Sequence, residues 1–443
     1  MRSPTARRLR LALTCLLALP LAAQDDAPGA DYTAFVGARI LPVVGEPIDD
    51  AVLLIHGAHI EELGPRSELA VPEGATLIDA RGMWIVPGLV DTHSHIGGPA
   101  AADGSSPIQP GVRVLDSLDA RDPGFRRALA GGLTTLNVMP GSGHLCSGQT
   151  LYLKLRGGET IDDLLLYRPD GAVAGGLKMA NGTNSRRNPP FPGTRGKSAA
   201  LVREVFLEAQ EYQAALARAE AGEGDPPPRD LDLECLVEVL EGVRIVHHHT
   251  HRHDDILTVL RLAQEFGFRV VLHHVSDAWK VAEEIAEAGV PSSLILVDSP
   301  GGKLEARDMA WENGAALERA GAPVAFHTDD GITDSRLFFR MAALGIRAGM
   351  SREGALAALT IEGARMLDLE ERVGSLEPGK DADFVLLDGD PFSIYTHVQQ
   401  TWVEGRLVFD LSRPEDRLLA TGGWGATTGA HTEFGCCLEE ETR

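Results

Sequence analysis

Six side chains far apart in the sequence are of types that could together bind a metal ion. His93 and His95 follow an apolar run, residues 84–90, that is typical of a buried strand. Because side chains alternate along a strand, His93 and His95 point to the same face. Two imidazoles at the carboxyl end of a parallel strand could share one cation. The other candidates, which end later apolar runs, are Lys178, His249, His274 and Asp329.

This combination of residue types suits a divalent cation that binds water. Imidazole nitrogens and a carboxylate favour zinc, with manganese, iron or nickel as alternatives. A metal of this kind lowers the pKa of a bound water to about 7, so hydroxide becomes available at neutral pH. A carboxylate beside the metal can take the proton of that water and pass it to a leaving group. The pattern therefore indicates hydrolysis.

Strand and helix signals alternate through the middle of the chain. The strand ends His249, His274 and Asp298 follow one another at the spacing of βα units, which predicts a parallel sheet. Alternation along RVVLHHV points His273 and His274 in opposite directions. No GxGxxG or Walker motif follows a strand, so a closed (β/α)8 TIM barrel is favoured over an open doubly wound sheet.

The two ends of the chain have a different pattern. Short alternating strands over residues 31–84 return over residues 370–412, which predicts one small composite β-sandwich domain made from both segments. The barrel, an α/β unit, then occupies residues 85–369. The tail, residues 413–443, is expected to be loosely packed.

The composition and the N-terminal sequence indicate where the protein is located and which partners it does not bind. The formal net charge of -23 and the absence of a basic stripe argue against binding to nucleic acid or anionic membranes. Residues 1–23 are typical of a secretory signal, with Arg7, Arg8 and Arg10 before an apolar stretch. Removing this segment would take the net charge to about -27. We expect a periplasmic or secreted protein with no membrane contact after cleavage, exported by either the Sec or the twin-arginine route.

The cysteines do not indicate a disulfide framework. Outside the signal segment, the chain has Cys146, Cys235, Cys436 and Cys437. Their spacing fits no zinc module, and neighbours in sequence rarely bond to each other. We expect isolated thiols and a fold that does not depend on disulfides.

Several of these motifs together resemble the amidohydrolase superfamily. They are PGLVDTHSH, the histidines that close two later strands, the aspartate that closes a late strand, and VGSLEPGKDADFVLLD after the barrel. The resemblance covers nearly all of residues 31–412 and is nearest to the imidazolonepropionase-like and prolidase-like exported amidohydrolases. It implies a barrel, a divalent metal and a small-molecule substrate.

The resemblance also implies a division of the ligands. In this superfamily the HxH pair, here His93 and His95, binds one metal, and the histidines at His249 and His274 bind a second. In binuclear members a carboxylated lysine bridges the metals, a role that falls on Lys178. A salt bridge or a substrate contact is the alternative for Lys178, and in mononuclear members the histidine at His274 contacts substrate. One or two zinc ions are therefore expected.

The implied reaction is hydrolysis of a C–N bond in an amide, cyclic amide or dipeptide-like substrate by metal-activated hydroxide. The resemblance makes Asp329 both a ligand and the proton shuttle, and strand alternation puts His327 on the same face as Asp329. Deaminases of the superfamily usually carry a glutamate where this chain has Arg252. The alternatives are a catalytically silent binding scaffold, or an esterase, lactonase or phosphotriesterase at the same site. Assembly into a homo-oligomer stays open.

Three loop residues are candidates for binding substrate. His144 lies in MPGSGHLCSGQ, and His251 lies just beyond the strand that carries the histidine run. Arg252 could hold a substrate carboxylate as a bidentate fork or pair with a nearby aspartate. Relatives often carry a glutamate near the position of Thr183, and this chain has none there, which puts a carboxylate bridge from that loop in doubt.

Overall fold

The computed structural model describes residues 31–296 and 303–422. The strands in these ranges are β1 Tyr32–Ile40, β2 Ile48–His56, β3 His59–Pro65, β4 Thr76–Asp79, β5 Trp84–Pro87, β6 Leu89–Ser94, β7 Leu133–Val138, β8 Cys146–Gln149, β9 Leu151–Lys154, β10 Leu177–Ala180, β11 Val246–Thr250, β12 Val270–His274, β13 Ser292–Leu294, β14 Val324–Phe326, β15 Phe384–Leu387, β16 Val398–Val403 and β17 Arg406–Asp410. The α-helices are α1 Pro123–Ala130, α2 Arg195–Glu220, α3 Leu231–Leu240, α4 His253–Phe266, α5 Ala282–Glu287, α6 Asn313–Ala320, α7 Phe338–Arg347, α8 Arg352–Leu359, α9 Ile361–Arg365 and α10 Pro414–Thr421.

Strands from both ends of the chain pair in one eight-stranded sheet. Its order is β17-β16-β15-β5-β1-β2-β3, with β4 paired to β1. The two segments join where β15 runs antiparallel to β5. The sequence predicted a β-sandwich, whereas the described strands form a single hydrogen-bonded sheet. The difference arises at β1, which pairs with β4 along its first half and with β5 along its second half, so one long strand links what would be two layers.

The middle of the chain supplies the parallel strands that the sequence predicted. Strands β10, β11, β12, β13 and β14 lie side by side in parallel, with antiparallel β8 at one edge. Helices α4, α5 and α6 connect the last four of these strands. The predicted strand end at Asp298 lies outside the described residues.

A second, smaller sheet holds the strand that carries the first histidines. Its order is β6-β7-β9. The two sheets meet where the backbone N–H of Asp329 donates to the carbonyl oxygen of His93 at 2.9 Å. No continuous ladder joins β6 to β14 in the described parts of the chain, so closure into a (β/α)8 barrel stays a prediction.

A buried ion cluster connects β9 to the composite sheet. The ammonium of Lys154 is fully buried and lies 2.8 Å from Asp381 Oδ2 and 2.6 Å from Asp383 Oδ2. Burial raises the pKa of Asp383, although Lys154 opposes that rise. Burial also acts on Asp381, but there Lys154 and Arg372 outweigh it and lower the pKa. Lys154 therefore holds together two segments that are far apart in sequence.

The C-terminal segment differs in part from the expected loose tail. Helix α10 begins with Pro414 at its first turn and buries Leu419. Asp416 on α10 accepts a hydrogen bond from Arg126 on α1 at 3.1 Å. The apolar contact and the ion pair explain why these residues are ordered against α1. The rest of the tail and the predicted signal segment, residues 1–23, lie outside the described residues.

A search of the described ranges found no helix that is both long enough and apolar enough to cross a bilayer.

Replacing Lys154 with methionine should lower the free energy of unfolding by about 3–5 kcal/mol, because buried Asp383 loses its counter-charge and Asp381 loses one of its counter-charges. The loss should be larger at about pH 7.5 than at about pH 5. A carboxyl with a raised folded pKa carries no penalty below its unfolded pKa, about 3.9; the penalty grows as pH rises from there to the folded pKa and is constant above it. Urea denaturation at both pH values measures the effect.

The matched control is Lys197→Met, because Lys197 forms an exposed pair with Glu204 at 3.3 Å. This variant should change the free energy of unfolding by less than about 1 kcal/mol at either pH. Equal losses in the two variants would show that Lys154 does not stabilise the junction.

Candidate metal centre

The first ligand candidate, His93, lies near the end of the apolar strand β6, where its side chain is in the protein interior. His93 is fully buried, and its Nε2 lies 3.2 Å from His95 Nε2. The Nδ1 of His95 lies 2.7 Å from the carbonyl oxygen of Met139. A carbonyl can only accept, so this contact places the proton of His95 on Nδ1 and leaves a lone pair on Nε2. The two predicted HxH ligands therefore converge.

Asp329 closes the site from the opposite sheet. Its Oδ1 lies 3.0 Å from His95 Nε2 and 3.5 Å from His93 Nε2, and its Oδ2 lies 3.8 Å from His274 Nδ1. Each of His93, His274 and Asp329 offers a ligand atom within 4.8 Å of the other two. The backbone of Asp329 has a positive φ of 50°. This conformation is uncommon outside glycine, and it turns the chain sharply just after β14.

The expectation that His273 and His274 point in opposite directions is wrong in the structure. Both are buried, and both rings lie near His93, with centroids 5.0 Å and 4.8 Å from its ring. The reason is the backbone of His274, whose φ is 69°. Strict alternation holds only for extended residues, so a left-handed residue at the end of β12 redirects its side chain toward the site.

A series of hydrogen-bonded side chains ends at His274. The hydroxyls of Thr92 and Ser293 lie 2.6 Å apart, and Ser293 Oγ lies 2.8 Å from His327 Nδ1. His327 Nε2 in turn lies 3.1 Å from His274 Nδ1. Sequence reasoning placed His327 beside Asp329 without assigning it a role. The alternation in AFHTDD indicated that His327 lies on the same face as Asp329. Its contact with His274 could be seen only in the folded structure.

Lys178 lies among the predicted ligands. It is fully buried on β10, and its Nζ lies 3.2 Å from His93 Nε2 and 3.1 Å from Met139 Sδ. An amine in this position is close enough to a metal centre to bridge it once carboxylated. Carboxylation of Lys178 stays a prediction.

His249 and His251 lie on the other side of His274. The ring centroid of His249 is 4.5 Å from that of His274 and 4.6 Å from that of His251. These two histidines and the buried Glu305 offer ligand atoms that all lie within 4.8 Å of one another. The sequence prediction assigned His251 to substrate and missed Glu305, which lies after β13 in a segment without a recognisable motif.

Burial sets the protonation of this cluster. It lowers the pKa of His93, His249 and His274 well below the ordinary value, and the charge of Lys178 adds to the effect at His93. The rings are therefore neutral at pH 7, as metal ligation requires. Burial also raises the pKa of Asp91 to about 7, although Thr328 donates a hydrogen bond to it.

Two of the predicted substrate-binding residues have other partners. His144 Nε2 lies 2.8 Å from the carbonyl oxygen of Asp103. Arg252 forms a bidentate pair with Asp254, at 3.0 Å and 2.9 Å, which is the alternative considered for it. A role in substrate binding stays a prediction for both, and Arg252 would have to give up Asp254 to hold a substrate carboxylate.

The donor set fits a divalent cation. His274 Nε2 and both ring nitrogens of His249 are buried and have no hydrogen-bond partner in the described structure. A buried polar atom without a partner costs about 1–3 kcal/mol, so several of them in one place indicate a ligand that uses them. Imidazole nitrogens with a carboxylate oxygen are the donors that zinc prefers.

Comparison with known proteins identifies the family of this chain. A family model described as Amidohydrolase family matches residues 240–409. The crystal structure of an amidohydrolase from Thermotoga maritima MSB8 is 31% identical, with a TM-score of 0.78, and the match covers 85% of this chain and 100% of that chain.

Curated relatives point the same way. Amidohydrolase tasK of Hapsidospora irregularis is 29% identical over 388 residues, which cover 80% of this chain and 39% of tasK. The chain thus spans well under half of that relative. An imidazolonepropionase of Pseudomonas savastanoi is 28% identical over 380 residues, which cover 77% of this chain and 88% of the relative. The resemblance seen in the sequence is confirmed, and the chain belongs to the amidohydrolase family.

Proposed function

We propose that this protein is a metal-dependent hydrolase of C–N bonds, acting on an amide, a cyclic amide or a dipeptide-like substrate. The observation that carries the proposal is the convergence of His93, His95, His274 and Asp329 at one end of the parallel strands. Chemistry at the carboxyl ends of strands is the rule in folds of this kind. Relatives named amidohydrolase, imidazolonepropionase and deaminase support a C–N bond as the target.

In this proposal, His93, His95, His274 and Asp329 hold a zinc ion, with Lys178 beside them. When bound, such an ion lowers the pKa of a coordinated water to about 7 and polarises a substrate carbonyl. The neutral rings supply the lone pairs, and Met139 fixes the orientation of His95 through its carbonyl oxygen.

Asp329 is placed to move a proton. Its two carboxylate oxygens face different rings, Oδ1 toward His95 and Oδ2 toward His274, so either oxygen can hold a proton while the other keeps its contact. The side chain is almost fully buried, which limits exchange of that proton with bulk water. We propose that Asp329 takes a proton from the attacking water and delivers it to the departing nitrogen.

The organisation of the chain is part of the proposal. We infer a catalytic unit over residues 85–369 that closes as a (β/α)8 barrel, and a β unit formed by residues 31–84 and 370–412. Export through residues 1–23 to the periplasm or beyond remains a prediction from the sequence. Assembly into a homo-oligomer is likewise a prediction.

Replacing Asp329 with asparagine should reduce turnover by roughly 10²–10⁴-fold, because an amide can still offer an oxygen to a metal but cannot carry the proton. Most of the bound metal should remain. Steady-state kinetics and elemental analysis of the same preparation measure the two effects. Asp116→Asn, at an exposed carboxylate paired with Arg113, is the control and should behave as wild type. Turnover that stays unchanged in Asp329→Asn would contradict the proton role.

Replacing Lys178 with alanine tests whether a carboxylated Lys178 bridges two metal ions. If Lys178 is carboxylated, the variant should lose metal and activity, and added formate, acetate or bicarbonate should restore part of both. The physical reason is that a small carboxylate can fill the space left by the side chain. Undiminished metal content without any rescue would instead favour a single-metal site. Lys197→Ala, at an exposed lysine, controls for the added acids.

A substrate panel separates the proposal from its rivals. Matched amides, lactones and phosphotriesters should show the amide hydrolysed with the highest kcat/KM. A preference for lactones or phosphotriesters would show that the enzyme hydrolyses those bonds, at the same site, and not C–N bonds. Metal content below about 0.2 equivalents after metal-supplemented expression would favour a silent binding scaffold.

A further inference from the structure

A groove between α7, α10 and the loop that joins β15 to β16 takes no part in the proposed function. It has a volume of about 480 Å³, within the range of about 300–1,000 Å³ that is common for binding pockets. Its apolar lining includes Phe339 on α7, Phe392 in the loop and Val398 at the start of β16. None of the candidate metal ligands lines it. The groove is therefore a separate surface of the molecule.

Apolar side chains around the groove are exposed to water. Ile394, which lines the groove, is 79% exposed, and Tyr395 beside it in the loop is 82% exposed. Leu337, which also lines the groove, is 39% exposed. Single exposed apolar residues are ordinary on protein surfaces, but several of them around one apolar groove are typical of a surface that another segment covers.

The groove is also positively charged. Three arginines line it, Arg336, Arg340 and Arg417, against a single aspartate, Asp388, among the described residues. Asp334 pairs with Arg336 at 2.6 Å, whereas Arg417 forms no ion pair with a residue in the described ranges. The whole chain has a formal net charge of -23. A concentration of arginines on such an acidic protein favours an acidic occupant that also carries apolar side chains.

Residues 423–443 of the same chain have this composition. They contain four glutamates and one arginine, together with three large apolar residues. The glutamates are Glu433, Glu439, Glu440 and Glu441, the arginine is Arg443, and the apolar residues are Trp424, Phe434 and Leu438. The segment therefore complements the groove in both charge and apolar character.

The described chain ends at the edge of this groove. Thr421 lines it, and a Cβ on the next residue, Gly422, would lie 2.9 Å from Arg336 Nη1. Phe434 follows Gly422 by twelve residues, which can span at most about 40 Å. A short tether also gives a segment an effective concentration on the order of 1 mM at a nearby site. Weak contacts are then sufficient for binding.

We propose that residues 423–443 bind in this groove, with their apolar side chains against Phe339 and Phe392 and their glutamates beside Arg340 and Arg417. Binding there would cover the exposed apolar surface and pair the arginines with carboxylates.

Zero-length crosslinking of the full chain tests the charge contacts. A carbodiimide joins an amine to a carboxylate that touches it, so Arg340→Lys and Arg417→Lys each place a reactive amine in the groove. Peptide mapping should find crosslinks from at least one introduced amine to a glutamate within residues 423–443. Arg347→Lys, at an exposed position at the end of α7 that does not line the groove, is the matched control and should give none.

The crosslinks are mapped in a mixture of unlabelled and isotope-labelled chains. Crosslinks within one chain would support the proposal. Crosslinks only between differently labelled chains would show that the groove holds the segment of a second copy, and would overturn binding within one chain. No crosslink to residues 423–443 in either groove variant would overturn the proposal as well.

Hydrogen exchange of the full chain tests the apolar contacts independently. The combined variant Trp424→Ser, Phe434→Ser and Leu438→Ser should raise the exchange rate of backbone amides in residues 391–399 by at least about threefold, because the uncovered loop opens more often. The combined variant Thr427→Ala, Thr428→Ala and Thr432→Ala is the matched control and should exchange as wild type. Equal rates in the two combined variants would show that these apolar side chains do not cover the groove, which would refute the proposal.

Discussion

The burial of several imidazole rings in one place is the physical constraint on which this structure depends. His93, His249, His273 and His274 are buried, each with its ring beside that of at least one of the others, and their burial keeps them uncharged. Each buried ring nitrogen without a partner costs free energy that a packed apolar core would not incur. A cluster like this needs a surrounding fold that determines it, and its lone pairs suit a cation.

The surrounding fold does determine it. The centre lies at the seam between two sheets, where the backbone of Asp329 donates to the carbonyl oxygen of His93, so ligands from both sheets are held at a fixed distance. Hydrogen bonds around the centre then fix the orientation of the rings. The Met139 carbonyl oxygen orients His95, and Ser293 with His327 orients His274. Away from the centre, Lys154 ties β9 to the composite sheet through two carboxylates. Rigid placement is what a reaction that depends on ligand geometry requires.

Relatives of this chain carry several names, including amidohydrolase, imidazolonepropionase and deaminase. Enzymes of one fold can act on different substrates, because function depends on the site that each chain builds on the shared scaffold. His144 and Arg252, the loop residues expected to contact substrate, are engaged with Asp103 and Asp254 in this chain. Both side chains are therefore held by other residues of the chain, His144 by a backbone carbonyl and Arg252 by a carboxylate.

The sequence alone determined the family, the parallel strands and most of the first centre. PGLVDTHSH placed His93 and His95 on one face, and strand ends located His274 and Asp329, because periodicity and strand polarity are local properties. Tertiary structure decided the rest. The left-handed backbone of His274 turned its side chain to the side that His273 already faces, which alternation cannot predict. Glu305 reached the loop at Thr183 only through the packing of distant segments, and no local pattern records a contact across 122 residues.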